Sequence, residues 1–257
     1  METIVSRTLS VHQEHEVLLK LEAAGLNDEL AQKVIDSKGN DLAAKVVSLI
    51  LNGGFEPSTS HKQARAIMGA NFFGVEEAIK HFGVNPSKQQ LAYLAEVPFA
   101  EEVFKSCKDT HVLVAVFPMP ILDIHGKVER KLFYSHDHDD AWYNTQAFAK
   151  DKGEVGWQLV RKVPIADSTN KTWNEQQALL SKDEETPKAQ VVVYTIIGHF
   201  LATGERLFEN IYVRCSDLDS GGRRVRVGDF DAGGLCVSYW DDAYRHGSFG
   251  LSAARKQ

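Results

Sequence analysis

Apolar residues in the first fifty positions recur every three or four residues, which is the spacing of an amphipathic helix. Gly25 interrupts this pattern, so we predict helices on both sides of it within residues 11–51. The second helical pattern should end at the Asn-Gly-Gly of positions 52–54. The segment FEPSTS at 55–60 has the composition of a linker, and we predict a domain boundary near residue 60.

The longer remainder mixes short helical patterns with short apolar runs. Helices are predicted at about 74–82, 86–95 and 98–108, a buried strand at 111–117, and further strands at 131–134, 157–162 and 208–214. The β-branched start of the run 191–202 favours a strand, but its length and the stop at Thr203-Gly204 favour a buried helix, which we predict. Pro86 and Pro98 should occupy first helical positions, with Asn85 as the cap before the first of them. The TWNE of 172–175 has the form of a capping box, opening a helix to about residue 181.

The last 35 residues alternate apolar and polar positions between frequent glycines. Val225, Val227, Leu235 and Val237 stand at every second position, as in strands with one buried face. The polar positions between them should then face solvent. Helices in the first part of the chain and short strands in the last part indicate an α+β fold.

Composition and charge narrow the classes of protein. The 257 residues are 43% hydrophobic and 25% charged, as in ordinary globular proteins. The net charge is −6, and residues 12–51 hold seven acidic residues against four lysines, which argues against nucleic acid as a partner. The N-terminal helices are better interpreted as a docking or self-association unit. No signal peptide or membrane-length apolar run is visible, so we expect no membrane partner and a cytoplasmic location, with export by another route left open.

Few residues are candidates for metal binding or catalysis. The three cysteines, Cys107, Cys215 and Cys236, are far apart and give neither a disulfide framework nor a zinc pair. The HDHDD of 136–140 is the most metal-like cluster, but its spacing puts histidines and aspartates on opposite faces of a strand. The glycine-rich stretches match no nucleotide-binding loop. We therefore expect no metal, no cofactor and no enzymatic activity.

A mixture of Tyr, Arg, Ser, Asp and His near the C-terminus has the composition of a recognition surface. The candidate ligand-binding residues are Arg226, Asp229, Asp231, Cys236, Ser238, Tyr239, Tyr244, Arg245, His246 and Ser248. The candidate scaffold residues are Trp240, Asp241, Asp242, Gly250 and Leu251. Trp240 is interpreted as a core residue, whose replacement by Ala would cost about 3–5 kcal/mol. Its neighbouring aspartates should accept backbone N–H bonds in turns.

The same residues resemble a known family. RVRVGDFDAGGL (224–235), YWDD (239–242) and GLSAARK (250–256) resemble the C-terminal variable region of diversity-generating retroelement target proteins. MGANFFGVEEAI (68–79) and ATGERLFE (202–209) are similar to bacterial proteins that carry such an ending. The resemblance covers most of the chain.

The resemblance implies both a fold and a function. In this family a reverse transcriptase copies a template RNA with errors at adenines, and the product replaces the end of the target gene. The targets usually have a C-type lectin fold, which displays the varied side chains on a tolerant backbone. This implies a helical segment at 1–60 and a C-type lectin-like domain at 61–257, variable from about 223. The domain would bind a protein or other macromolecular ligand without reaction or cofactor. Residues 211–257 contain no Asn, which fits the replacement of template asparagine codons.

Two other hypotheses stay open. Formylglycine-generating and related oxidases share the C-type lectin fold and a similar ending, and they would make this chain an enzyme. Their chemistry needs a close pair of reactive cysteines, for which only Cys215 and Cys236 are available in the C-terminal part. The third hypothesis is a structural or interaction protein without any variation.

Overall fold

The computed structural model describes residues 9–37, 42–43, 46–47, 50, 58–134 and 141–256. The chain divides into two compact units, Met1–Pro57 and Ser58–Gln257. The Asn-Gly-Gly of 52–54 and the first half of the linker predicted at 55–60 lie outside the described residues. No described helix has the length and apolar character needed to cross a membrane.

The N-terminal unit contains the helices α1 Val11–Ala23 and α2 Asp28–Ile35. The Oγ of Ser10 accepts a hydrogen bond from the Gln13 backbone N–H at 3.2 Å, which satisfies one exposed donor at the start of α1. Gly25 separates the two helices with a φ of +107°, a conformation that favours glycine. Neither helix contains a buried residue, so their apolar side chains remain accessible.

The second unit has short helices and one long one. Its helices are α3 His61–Met68, α4 Val75–Phe82, α5 Lys88–Tyr93, α6 Glu101–Cys107, α7 Ile121–Lys127, α8 Ala147–Lys150, α9 Trp173–Gln177 and α10 Ala189–Thr203. Ten of the fifteen residues of α10 are buried, and the helix ends at Gly204 with a φ of +77°. The helix predicted over 191–202 is therefore confirmed.

The strands of the described residues form three sheets. They are β1 Thr59–Ser60, β2 Phe72–Phe73, β3 Glu96–Val97, β4 His111–Val116, β5 Gly156–Arg161, β6 Glu184–Glu185, β7 Tyr212–Leu218, β8 Arg224–Asp231, β9 Gly234–Trp240, β10 Phe249–Leu251 and β11 Ala254–Arg255. β1 pairs with β3, the five-stranded sheet has the order β2-β4-β5-β11-β6, and the four-stranded sheet has the order β10-β7-β8-β9. Two pairs, β2–β4 and β10–β7, are parallel. The predicted α+β class is confirmed.

The helix α10 joins the two larger sheets into one core. It contacts β2, β4 and β5 of one sheet and β7 and β8 of the other. The contact is close at Gly198, where an added Cβ would lie 3.0 Å from atoms of the Phe73 ring. The four-stranded sheet therefore has one face buried against a helix, which leaves its other face for a different role.

Several predicted element boundaries were wrong for local reasons. Helix α5 begins after Ser87, whose Oγ accepts from the Gln90 N–H at 3.2 Å, so the serine and not Asn85 forms the cap. Helix α6 begins at Glu101, beyond Pro98. The capping box at Thr172 is confirmed, but its helix α9 already ends at Gln177.

Two predicted strands were also placed wrongly. Residues 130–132 form a 3₁₀ turn, and only Phe133 makes a bridge, to Leu235. The strand expected at 208–214 begins at Tyr212, because Phe208 has a φ of +53° and belongs to a turn.

Candidate ligand-binding face

The four-stranded sheet has an inner face toward the core and an outer face away from it. The inner positions Val213, Val225, Val227, Leu235 and Val237 are buried, as the alternation predicted for the last four. The strand register places the outer positions in three rows. These rows are Phe249–Tyr212–Gly228–Cys236, Leu251–Arg214–Arg226–Ser238 and Arg224–Trp240.

Trp240 belongs to the outer face and not to the core. It follows Cys236 and Ser238 at every second position of β9, and its side chain is 41% exposed. Its ring centroid lies 5.0 Å from that of Tyr244 and 6.2 Å from that of Phe249. The interpretation of Trp240 as a core residue was wrong, because the two-residue period of the strand turns it outward.

Tyr239, one position earlier, has the opposite orientation. Its neighbours Ser238 and Trp240 are outer-face residues, so the Tyr239 side chain lies on the inner side of the strand. Its ring centroid lies 4.5 Å from that of Trp142. The Arg223 guanidinium stacks over it at 3.5 Å. Tyr239 was predicted to bind ligand, but in the structure it is half-buried and packs against its own chain.

Arg226 lies on the outer face but is covered by aromatic rings. Its guanidinium carbon is 3.9 Å from the Phe249 ring centroid, 4.1 Å from that of Tyr212 and 5.3 Å from that of Trp240. The side chain is only 8% exposed, so its prediction as a solvent-facing residue was wrong. Burial lowers the pKa of the Arg226 guanidinium.

The two aspartates near the β8–β9 turn bond to their own chain. Asp229 has a φ of +52°, and its Oδ2 accepts from the Tyr212 hydroxyl at 2.9 Å. Asp231 is exposed, and its Oδ1 accepts from the Gly233 N–H at 2.7 Å, as in an Asx turn. Cys236 and Ser238 are half-buried on β9.

The remaining predicted ligand-binding residues lie in the loop 241–248, which follows β9. Tyr244 is 40% exposed, and its ring stacks with that of His246 at 6.1 Å. The Nδ1 of His246 lies 2.8 Å from the Ser248 Oγ. Exposed Arg245 forms an ion pair with Glu175 at 2.7 Å. The Thr172 N–H and then Arg245 lower the pKa of Glu175 to about 2.

Arg214 fixes this loop and was not identified from the sequence. It is 1% exposed, and its Nη2 donates to the carbonyl oxygens of Tyr244 at 2.5 Å and Asp241 at 3.4 Å. Its Nη1 donates to the Lys171 carbonyl and to the Gln176 Oε1, each at 3.0 Å. An arginine between apolar neighbours in β7 was the one available signal.

Other residues also hold the loop through its backbone. The Trp173 N–H donates to the Asp242 carbonyl at 2.8 Å, and the Asn170 N–H donates to that of His246 at 3.0 Å. The Tyr212 N–H donates to the Ser248 carbonyl at 2.9 Å. The loop is therefore held mainly through its backbone carbonyl oxygens, which every amino acid possesses.

The proposed scaffold residues other than Trp240 contact both neighbouring and distant parts of the chain. The Asp241 Oδ1 accepts from the Ala243 N–H at 2.8 Å, and Asp242 receives two hydrogen bonds from Arg224 at 3.0 and 3.1 Å. An added Cβ on Gly250 would lie 2.5 Å from the Pro164 side chain. Leu251 is buried in a small cluster with Ile165 and Ala253.

The thiols of Cys215 and Cys236 lie on opposite sides of the sheet. Cys215 follows Arg214 in β7 and is buried in the core, where burial raises the pKa of its thiol. Cys236 is an outer-face residue of β9. The two thiols therefore do not form the close pair that an oxidase would need.

The histidines and aspartates of 136–140 lie outside the described residues. In the part of the chain that the structure describes, no group of three or more His, Cys, Asp or Glu side chains is arranged to hold a metal ion. We found no match to the chain among protein-family models, curated proteins or solved structures.

Proposed function

We propose that this protein is a ligand-binding display protein whose C-terminal face is diversified by a retroelement. The binding residues would be the exposed side chains of the loop 241–248 together with the outer face of the four-stranded sheet. The ligand would be a protein or another macromolecule, bound without reaction and without a cofactor. The C-type lectin-like assignment of the second unit belongs to this proposal.

The observation that carries the proposal is the way the loop 241–248 is held. Arg214, Trp173, Asn170 and Tyr212 all donate to backbone carbonyls of the loop. Backbone groups do not change when a side chain is replaced, so side chains at Ala243, Arg245 and His246 could vary while the loop keeps its position. Such a fixed loop with replaceable side chains is what a diversified binding face requires.

The outer face adds the second part of the surface. Trp240 and Tyr244 are large aromatic residues that are about two-fifths exposed, and such residues often dominate binding energy at interfaces. They lie beside polar Ser238 and His246. A surface of this composition offers broad apolar contact together with adaptable hydrogen bonds.

The test is a saturation library at Ala243, Arg245 and His246, with a matched library at inner-face residues Val225, Val227 and Val237. We expect most loop variants and few inner-face variants to fold, as measured by protease resistance. The flanking DNA should hold a near-repeat of the codons for 224–256, differing mainly at adenines, beside a reverse transcriptase gene. Poor tolerance in the loop, or the lack of such a repeat, would contradict the proposal.

The oxidase alternative predicts different behaviour. It requires that Cys215 and Cys236 act together, whereas the first is in the core and the second is on the outer face. Dioxygen uptake in the presence of a cysteine-containing peptide would support the alternative. We expect none, and we expect Cys236→Ser to leave the fold intact.

A further inference from the structure

Two buried arginines face each other on the outer side of the four-stranded sheet. Arg214 of β7 and Arg226 of β8 are directly opposed in the strand register. They are 1% and 8% exposed. Like charges opposed across two strands destabilise a sheet, so this pair needs a compensating interaction.

The described part of the chain supplies that compensation only in part. Neither Arg214 nor Arg226 forms an ion pair there, and the Nε of each lacks a hydrogen-bond partner. Arg214 uses its other nitrogens on three backbone carbonyls and the Gln176 side chain. Arg226 has one longer hydrogen bond, from Nη2 to the Ser238 Oγ at 3.4 Å.

The nearby carboxylates have other partners. Asp242 receives both of its side-chain hydrogen bonds from Arg224, and Asp241 closes the turn at Ala243. Asp229 accepts from the Tyr212 hydroxyl. The three arginines Arg214, Arg224 and Arg226 therefore lie near three carboxylates, but the only ion pair among the described residues here is that of Arg224 with Asp242. A buried cation without an anionic partner is costly, and an anion from a ligand would relieve that cost.

We propose that Arg226, through the 8% of its surface that the covering rings leave exposed, is the anchor of the binding face for a carboxylate of an acidic side chain on a protein ligand. This inference rests on the proposed function, since it names the chemistry that the outer face selects. A guanidinium binds a carboxylate with directed, charge-assisted hydrogen bonds. Arg214 adds positive potential from the neighbouring strand on the same face, and Trp240 and Tyr244, each about two-fifths exposed, can contact apolar groups beside the carboxylate.

The direct test uses matched peptides on the full chain. The probes are acetyl-Tyr-Glu-Tyr-amide, its Gln counterpart and its phosphoserine counterpart, followed by the NMR signal of the Arg226 Nε–H. We expect the Glu peptide to bind about tenfold more tightly than the Gln peptide, as a charge-assisted hydrogen bond would give. Equal binding of Glu and Gln, or tighter binding of phosphoserine than of Glu, would overturn the carboxylate assignment.

Arg226→Gln should remove the preference for Glu over Gln. Arg206→Gln is the matched control, because Arg206 is also stacked on two rings, Phe200 and Phe230, but lies away from the outer face. The control should keep the preference. If Arg226→Gln folds and still prefers Glu, the anchor is wrongly assigned.

A second pair of variants tests the anchor without removing it. Ser238 is directly opposite Arg226, so Ser238→Asp supplies a carboxylate within the chain, and Ser238→Asn is its neutral isostere. We expect the Asp variant to melt at least about 2 °C above the Asn variant and to lose binding of the Glu peptide. Equal melting temperatures would overturn the inference. The loop library tests the proposed function separately, since tolerance of side-chain exchange does not depend on a carboxylate preference.

Discussion

At the residue scale, three arginines organise the outer face in three different ways. Arg214 donates to loop carbonyls, Arg224 pairs with Asp242 and stacks over Trp173, and Arg226 lies between aromatic rings. Each role uses the planar, multi-donor guanidinium, which lysine cannot reproduce. Lysine at any of these positions is therefore not a conservative replacement.

We expect Trp240→Ala to cost only about 1 kcal/mol of unfolding free energy, because the side chain is 41% exposed. Phe230→Ala is the buried control. Phe230 is fully buried beside Phe200, and its loss should cost about 3–5 kcal/mol. Urea denaturation measures both values. If Trp240→Ala proves as destabilising as Phe230→Ala, Trp240 is a scaffold residue after all.

His111 should make the protein sensitive to mild acid. Burial and then Arg161 lower its pKa to about 4, whereas an unfolded histidine titrates near 6.5. Between about pH 6.5 and pH 4 the unfolded chain therefore binds a proton that the folded protein does not bind. The free energy of unfolding falls as the pH drops through this range. The loss should be roughly 3 kcal/mol and absent from His111→Asn. Denaturant curves at pH 7 and pH 4 measure it, and identical pH effects in both proteins would refute this.

Residue-scale features were partly predictable. The alternation of Val225, Val227, Leu235 and Val237 fixed the inner face correctly, because the period of two is a local property of a strand. The same period places Trp240 outside, where its ring packs against Tyr244 and not in the core. The burial of Arg226 was not predictable, since the rings that cover it come from other strands.

At the element scale, the loop 241–248 is held chiefly by residues that lie outside it. Its hydrogen bonds come from Arg214 and Tyr212 of β7 and from the segment around Asn170 and Trp173. These partners are distant in sequence, so no local pattern could reveal them. In contrast, β4 and α10 were predicted well because each carries a long apolar run of its own.

Arg214→Met should destabilise the loop strongly. It leaves the part-buried carbonyls of Asp241, Tyr244 and Lys171 and the buried Gln176 Oε1 without this donor, and an unpaired buried polar group costs about 1–3 kcal/mol. We expect a total loss of at least about 3 kcal/mol and faster amide exchange in 241–248. Arg245→Ala, on the same loop, should stay within about 0.5 kcal/mol, as exposed ion pairs contribute little. Equal effects of the two variants would show that the loop's own side chains hold it as strongly as Arg214 does.

At the scale of the whole molecule, the two units differ in how much they bury. The second unit has one large core that joins both sheets through α10, whereas α1 and α2 contain no buried residue. The predicted boundary near residue 60 rested on composition, and the chain divides between Pro57 and Ser58. Composition can indicate such a division, but it cannot say what the exposed helices contact.

A protein that begins at Ser58 should fold and melt within about 2 °C of the full chain, since its core is its own. Calorimetry of both proteins makes the comparison. Limited proteolysis of the full chain should leave a stable fragment from about residue 62 onward. A large fall in melting temperature on removal of 1–57 would mean that the N-terminal unit supports the fold.

The position of β11 has a consequence for folding kinetics. It lies between β5 and β6 in the five-stranded sheet, although it follows every other strand in sequence. During synthesis, that sheet stays split, with β6 unpaired, until β11 emerges. Contacts between residues so distant in sequence slow folding and prolong the exposure of sheet edges to aggregation. The pairing of β11 with β5 and β6 should therefore form late in folding.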